Sequence, residues 1–289
     1  MIMFDEKIIN WLLADDNPAI KYRTKVELLG QSADVSEATA WILSKLPENW
    51  YETKGLWYGY YVTALAECGL SYKDIPAEHI NKAFDSFDAV FDCNCGDFML
   101  LTALMKLGFS EHKTIQNIIN NLKGHSLPDG GFLCLHRVNK LKYTPKSCYK
   151  ANLHALMFLA ECHKKGVDTR FGQPLIDYFL NRNIFYKSTD KSALVLYSRE
   201  GWRTIDAFYP FEVMRVGLQN VVESFAALCY GNNECLKEAW SILEDCKDDT
   251  GKVLLKGTLT KSYLPKEKVG KPSKWATFYT LLAEKEKSQ

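Results

Sequence analysis

Five stretches of this chain read as versions of one apolar helix: TALAECG (63–69), TALMKLG (102–108), HALMFLAEC (154–162), AALCYG (226–231) and TLLAE (280–284). Their marker leucines Leu65, Leu104, Leu156 and Leu228 are separated by 39, 52 and 72 residues, as expected for one helix-pair unit carrying insertions of different length. A helix that is apolar nearly all round, such as FMLLTALMKLGF, has to be covered on most of its surface. The segment TIQNIINNLKG supplies the cover: Ile115, Ile118, Ile119 and Leu122 recur with helical period on one side only. No stretch sustains the alternation of a half-buried strand, so the expected class is all-α, with apolar helices inside and amphipathic ones outside. Gly130 and Gly131 of LPDGGFLC (127–134) suit a tight turn between such helices.

Charge narrows the partners. Lys and Arg number 36 against 35 Asp and Glu, and no basic face with interleaved aromatics is visible, which argues against nucleic acid. The N-terminus, MIMFDEKIINWLLADD, lacks a positively charged leader, and no run approaches the roughly 18 apolar residues of a spanning helix. A cytoplasmic protein without stable membrane insertion is expected. In a reducing compartment its nine cysteines read as buried thiols plus a metal or reactive site. Cys68, Cys162 and Cys229 lie in apolar helical contexts and read as core. In NPAIKYRTKVELLG (17–30), Asp16 or Asn17 is a candidate N-cap, Pro18 suits the first turn and Gly30 the stop.

Three further segments, LPDGGFLC, GWRTIDAFYPFEVMRVGL and GKPSKWATFYTLL, resemble the α/α-toroid proteins of the squalene cyclase and prenyltransferase β-subunit superfamily, and within it the small bacterial prenyltransferase-like members. The resemblance covers about residues 55 to 285. It implies an α/α toroid of repeated inner and outer helix hairpins at 55–289, with a long insertion near 183–210, preceded by an N-terminal helical extension at 1–54. Neither family catalytic apparatus is intact. The D-x-D-D acid of the cyclases is missing, and Thr280 stands after Phe278-Tyr279 where the zinc-binding His of the prenyltransferases would stand. The fold carries over and the activity does not.

If the inner helices are parallel, as the resemblance implies, their N-termini share one mouth. Cys95 lies nine residues before Leu104, and Cys148 eight before Leu156. Cys134 follows the DGGF turn on the connection between them. Cys93, Cys95, Cys134 and Cys148 are therefore expected to converge on one metal, with zinc the natural ion for thiolates at helix N-termini. Asp92, Asp97 and His136 are reserve ligands. The other reading is four inert thiols.

Trp57, Tyr58, Tyr61, Trp202, Phe208, Tyr209, Trp275 and Tyr279 are candidate aromatic walls for an isoprenoid-like pocket, against the alternative that they fill the core. Arg203 and Arg215 would clamp a phosphate or carboxylate, the former in substrate binding. Asp206 and Glu212 are candidate acids or bases, with Arg215 beside them. The expected function is a prenyltransferase- or terpene-cyclase-like enzyme acting on an apolar small molecule or lipid in a central cavity. The alternative is a non-catalytic helical scaffold with structural zinc that binds a peptide or lipid.

Overall fold

A computed structural model describes residues 4–89, 91–134, 147–195, 216–257 and 267–288. These fold into twelve α-helices: α1 (Glu6–Leu12), α2 (Pro18–Arg23), α3 (Ser36–Leu43), α4 (Leu56–Glu67), α5 (Ala77–Ala89), α6 (Cys95–Leu107), α7 (Lys113–Leu122), α8 (Tyr149–Lys164), α9 (Gln173–Leu180), α10 (Leu218–Ala227), α11 (Lys237–Asp245) and α12 (Lys274–Lys287). A π-turn, Thr24–Leu28, continues α2. One short antiparallel hairpin, β1 (Tyr186–Lys187) with β2 (Asp190–Leu194), lies in the expected insertion. The all-α expectation therefore holds except for this hairpin, whose five-residue second strand has no buried residue and so no apolar alternation for a sequence reading to catch. Among the described residues no helix is long and apolar enough to cross a membrane.

The two helix types separate as their sequences require. In α7, Ile115, Ile118, Ile119 and Leu122 are buried while Asn117, Asn120 and Asn121 face solvent. In α6 every residue from Phe98 to Met105 is buried. Its start is fixed by a reciprocal cap: the Asn94 side chain accepts from the Gly96 and Asp97 amides, and the Asp97 carboxylate accepts from Asn94. Asn17 caps α2 through the Ile20 amide, with Pro18 in the first turn and Gly30 left-handed beyond the end.

The even-numbered helices pack in sequence, α4 on α6, α6 on α8, α8 on α10 and α10 on α12. Bonds between like ends show that they run parallel. At their C-terminal ends, Lys106 of α6 reaches Glu67 of α4 at 2.5 Å, and Arg23 of α2 reaches the same carboxylate at 3.2 Å. Lys285 of α12 donates to the Glu27 carbonyl at 2.6 Å. At the opposite end Lys274 of α12 pairs with Asp16, just ahead of α2. The first 54 residues, expected as an extension, contribute Ile8, Leu12, Ile20, Ile42 and Trp50 to the same apolar cluster as the later helices.

Arg23 is the junction. Its guanidinium also bonds the Glu67 carbonyl at 3.2 Å, the Tyr279 hydroxyl at 3.0 Å and the Glu27 carboxylate at 2.5 and 2.8 Å. It lies over the Phe278 ring, 4.6 Å from its centroid. Burial works against the charge on Arg23 and Lys106, but the surrounding anionic groups (Glu27 for Arg23, Glu67 for Lys106) outweigh it and raise both pKa values. Beside this junction, Lys164 binds Glu223 and lies 3.4 Å from both Glu161 and Glu286. Burial, then the Glu223 charge, pushes the Glu286 carboxyl up to about 8, and its Oε2 is buried with no hydrogen-bond partner among the described residues.

Two consequences are measurable. Arg23→Met leaves Glu67 with less compensation inside the core and should cost about 3–5 kcal/mol in urea unfolding; a loss below about 1 kcal/mol would remove the junction role. Glu286 binds its proton more tightly folded than unfolded, so its contribution to stability declines as pH rises from its ordinary 4.5 to about 8 and is lost above that. Glu286→Gln should therefore gain stability over the parent between pH 6 and pH 9. Parallel melting-temperature profiles of the two proteins across that range would contradict this.

Candidate thiol site at the helix N-termini

Cys95 is the first residue of α6, held there by the Asn94–Asp97 cap. Cys148 is the N-cap of α8 and accepts the Asn152 amide through its carbonyl at 2.9 Å. The DGGF turn brings the third sulfur in. Gly130 is left-handed, with φ 88°, and a side chain there would meet the Pro174 carbonyl at 2.2 Å, so only glycine fits. The turn is stitched to the start of α8 by the Cys148 amide on the Phe132 carbonyl, 3.2 Å, and by the Phe132 amide on Asn152 Oδ1, 2.9 Å. Cys134 follows two residues later.

The outcome is a sulfur pair with a third thiol beside it. Cys95 and Cys148 stand at the starts of α6 and α8, where their thiols act on each other, and the Cys134 charge also acts on Cys95. The interaction with the Cys148 side chain, then burial, then repulsion from Cys148 and Cys134 raise the Cys95 pKa strongly, while Lys150 opposes the rise. Both Cys95 and Cys148 keep partial exposure, and Cys134 is buried. The shared end of α6 and α8, reached in the sequence through parallel inner helices, is what places these atoms together.

Cys93 does not join them. Its backbone is left-handed, with φ 51°, and its side chain lines a groove between α5 and α7. Burial, then the Asp97 and Asp92 charges, pushes its thiol up to about 12. Asp97, a reserve ligand in the sequence reading, is occupied as the helix cap, accepting the Asp92 amide at 2.8 Å and Asn94 Nδ2 at 2.9 Å. Among the described residues no group of three or more His, Cys, Asp or Glu side chains is arranged to hold a metal ion. The expected four-cysteine set thus reduces to a dithiol with Cys134 nearby.

The aromatic candidates divide three ways. Trp57 is 43% exposed and Leu56 47% exposed in the first turn of α4, and a side chain at Gly96 would stand 3.4 Å from Leu56, so this apolar pair adjoins the start of α6. Tyr58 and Tyr61 turn toward the outer layer: the Tyr58 hydroxyl donates to the His79 and Ile80 carbonyls at 2.9 and 3.2 Å, and both rings pack on Trp50. Trp275 and Tyr279 are buried, and Tyr279 donates to Glu67 within the ionic junction. Trp202, Arg203, Asp206, Phe208, Tyr209, Glu212 and Arg215, like His136, lie outside the described residues. Of the thiols read as core, Cys68 and Cys162 are fully buried, but Cys229 is exposed because α10 ends at Ala227 and Cys229 adopts a left-handed conformation, φ 67°.

Sequence reasoning missed the buried charges. A signal existed for two of them: Glu67 and Lys106 occupy the same position of the TALAE and TALMK repeats, with opposite charge in neighbouring apolar helices.

The thiol geometry makes a reactivity prediction. In iodoacetamide at pH 8, exposed Cys229 should alkylate first and Cys95 about tenfold or more slowly, since only thiolate reacts. Cys148→Ser should speed Cys95, as read by peptide mass spectrometry. Equal rates at Cys95 and Cys229 in the parent protein would refute the sulfur pair.

No protein-family model, curated protein or solved structure matches this chain. The likeness to toroid proteins rests on the sequence segments quoted above.

Proposed function

We propose that the chain is an α/α toroid whose inner wall is made by α2, α4, α6, α8, α10 and α12, and that its working end is the mouth formed by their N-termini. The support is pairwise: from α4 to α12 each inner helix packs on the next, α12 also touches α2, and Arg23 links α2 to both α4 and α12. In this reading the first 54 residues are not an addition, because α2 supplies the sixth rod. The mouth handles an apolar, isoprenoid-like molecule, received against Leu56 and Trp57, and its reactive groups are Cys95 and Cys148. The observation that carries this is the placement of both thiols at the starts of two separate inner helices, where they act on each other.

Clustered thiols resist ionisation together, so they favour a soft cation that takes the place of their protons. Zinc is the ion proposed for the Cys95–Cys148 pair, where it would supply a Lewis acid and activate an incoming thiol or water. Lys150 offers a charge near the same sulfurs for an anionic leaving group or headgroup. The competing scaffold reading has one observation in its favour: the C-terminal half of the interior is filled by Arg23, Glu67, Lys106, Tyr279 and their ionic partners, which confines any reaction to the opposite end.

Zinc competition against a chromophoric chelator, under reducing conditions at pH 7.5, tests the reading. About one equivalent should bind, and Cys95→Ser or Cys148→Ser should weaken binding by about tenfold or more, whereas Cys93→Ser should not. Less than half an equivalent in the parent protein, unchanged by serine at either paired position, would overturn it.

A further inference from the structure

A second site lies outside the ring of inner helices. Between α5 and α7 the surface opens into a groove of about 670 Å³, within the roughly 300–1,000 Å³ of small-molecule sites. Phe87 of α5, Phe91 and Cys93 of the α5–α6 connection, Ile118 and Leu122 of α7 and Leu133 beyond the DGGF turn give it an apolar interior. Phe87, Cys93, Ile118 and Leu122 are buried there, and Phe91 packs edge-on against Phe87 with ring centroids 5.9 Å apart. One rim is polar: Asn117 and Asn121 stand one helical turn apart on the exposed face of α7, with His125 following. Among the described residues the lining contains no carboxylate, ammonium or guanidinium group.

We propose that this groove binds a neutral amphiphile, a molecule with an apolar chain or ring and an alcohol- or amide-like end that bonds the Asn117–Asn121 carboxamides. Complementarity selects the class. Among the described lining residues a charged headgroup would find no carboxylate, ammonium or guanidinium partner and would lose hydration without compensation. A docked partner helix is disfavoured because the α7 edge of the groove presents carboxamides, not the apolar anchors that helix-in-groove recognition uses. The site is independent of the thiol reading, since none of Cys95, Cys134 and Cys148 lines it. It shares only the Asp92–Cys95 connection with that site, where Cys93 faces the groove and Cys95 faces Cys148.

The test is calorimetric titration of the full chain with 1-decanol, decanoate and decyltrimethylammonium, all below their aggregation limits. 1-Decanol should bind saturably at one site, with the two charged chains about tenfold or more weaker. Asn121→Trp, at an exposed position that places an indole over the groove, should weaken 1-decanol by about tenfold or more while melting like the parent. Ile118→Trp, which fills the interior, should do the same if it folds. The proposal fails if 1-decanol shows no saturable binding, if all three chains bind equally, or if Asn121→Trp binds 1-decanol as the parent does. Zinc uptake by the thiols is measured on the same Asn121→Trp sample, so loss of one site is not mistaken for loss of the other.

Discussion

Arg23 can stay in the interior only because Glu27, Glu67 and the Tyr279 hydroxyl meet its guanidinium there, and each of those groups depends on it in turn. Burying a lone charge costs several kcal/mol, so such a network holds when complete and fails when one member is removed. Its members come from the first and last parts of the chain, residues 23 and 279, joined through residue 67. The network fixes which helix ends lie together. Because the helices are parallel, it also fixes which ends lie together on the far side, where the thiols are. The sulfur site is therefore positioned by salt bridges a helix length away.

The two ends of the parallel rods differ electrostatically. Helix C-termini carry partial negative charge, so gathering them favours cations, and Arg23, Lys106 and Lys164 are found there. The same end also holds Glu67, Glu161, Glu223 and Glu286, and burial there, then the Glu223 charge, is why Glu286 retains a proton to about pH 8. At the N-terminal end the helix field favours anions and would assist a thiolate. There the opposition comes from the sulfurs themselves, because Cys148 and Cys134 disfavour ionisation of Cys95. Burial and neighbouring like groups together thus hold a proton at each end, on oxygen at one and on sulfur at the other.

How much of this the sequence disclosed depends on the range of the interaction. The inner helices were legible, because an all-round apolar run such as 98–105 has no other stable place, and the cap of α2 was legible to within one residue, Asp16 or Asn17, of which the structure uses Asn17. Convergence of Cys95, Cys134 and Cys148 became legible only with the resemblance, since spacing alone says nothing about residues 53 apart in the chain. Cys93 was misplaced because a C-x-C pair looks like one ligand group, whereas the left-handed turn at Cys93 sends neighbouring sulfurs to different faces. Tyr58 and Tyr61 looked inward because they begin an inner helix. A helix buried all round also has an outer face, and Trp50 occupies that side of theirs. The hairpin at 186–194 carries no periodic signal at all.

Chain economy explains why the sulfur end is the one that varies. Each inner helix passes to its outer partner by a short connection at the C-terminal end: Glu67 to Ala77, Leu107 to Lys113, Lys164 to Gln173 and Ala227 to Lys237. The return from outer to inner helix is longer in the later repeats: Leu122 to Tyr149, Leu180 to Leu218 and Asp245 to Lys274. Insertion length costs little entropy once a loop is already closed, whereas a change at the charged end would break a buried ion pair. The longer connections therefore lie just ahead of α8, α10 and α12. Cys134 and the Lys271-Pro272-Ser273 segment both belong to those returning connections. Connection length can thus vary at one end while the ion pairs at the other keep the helices in register.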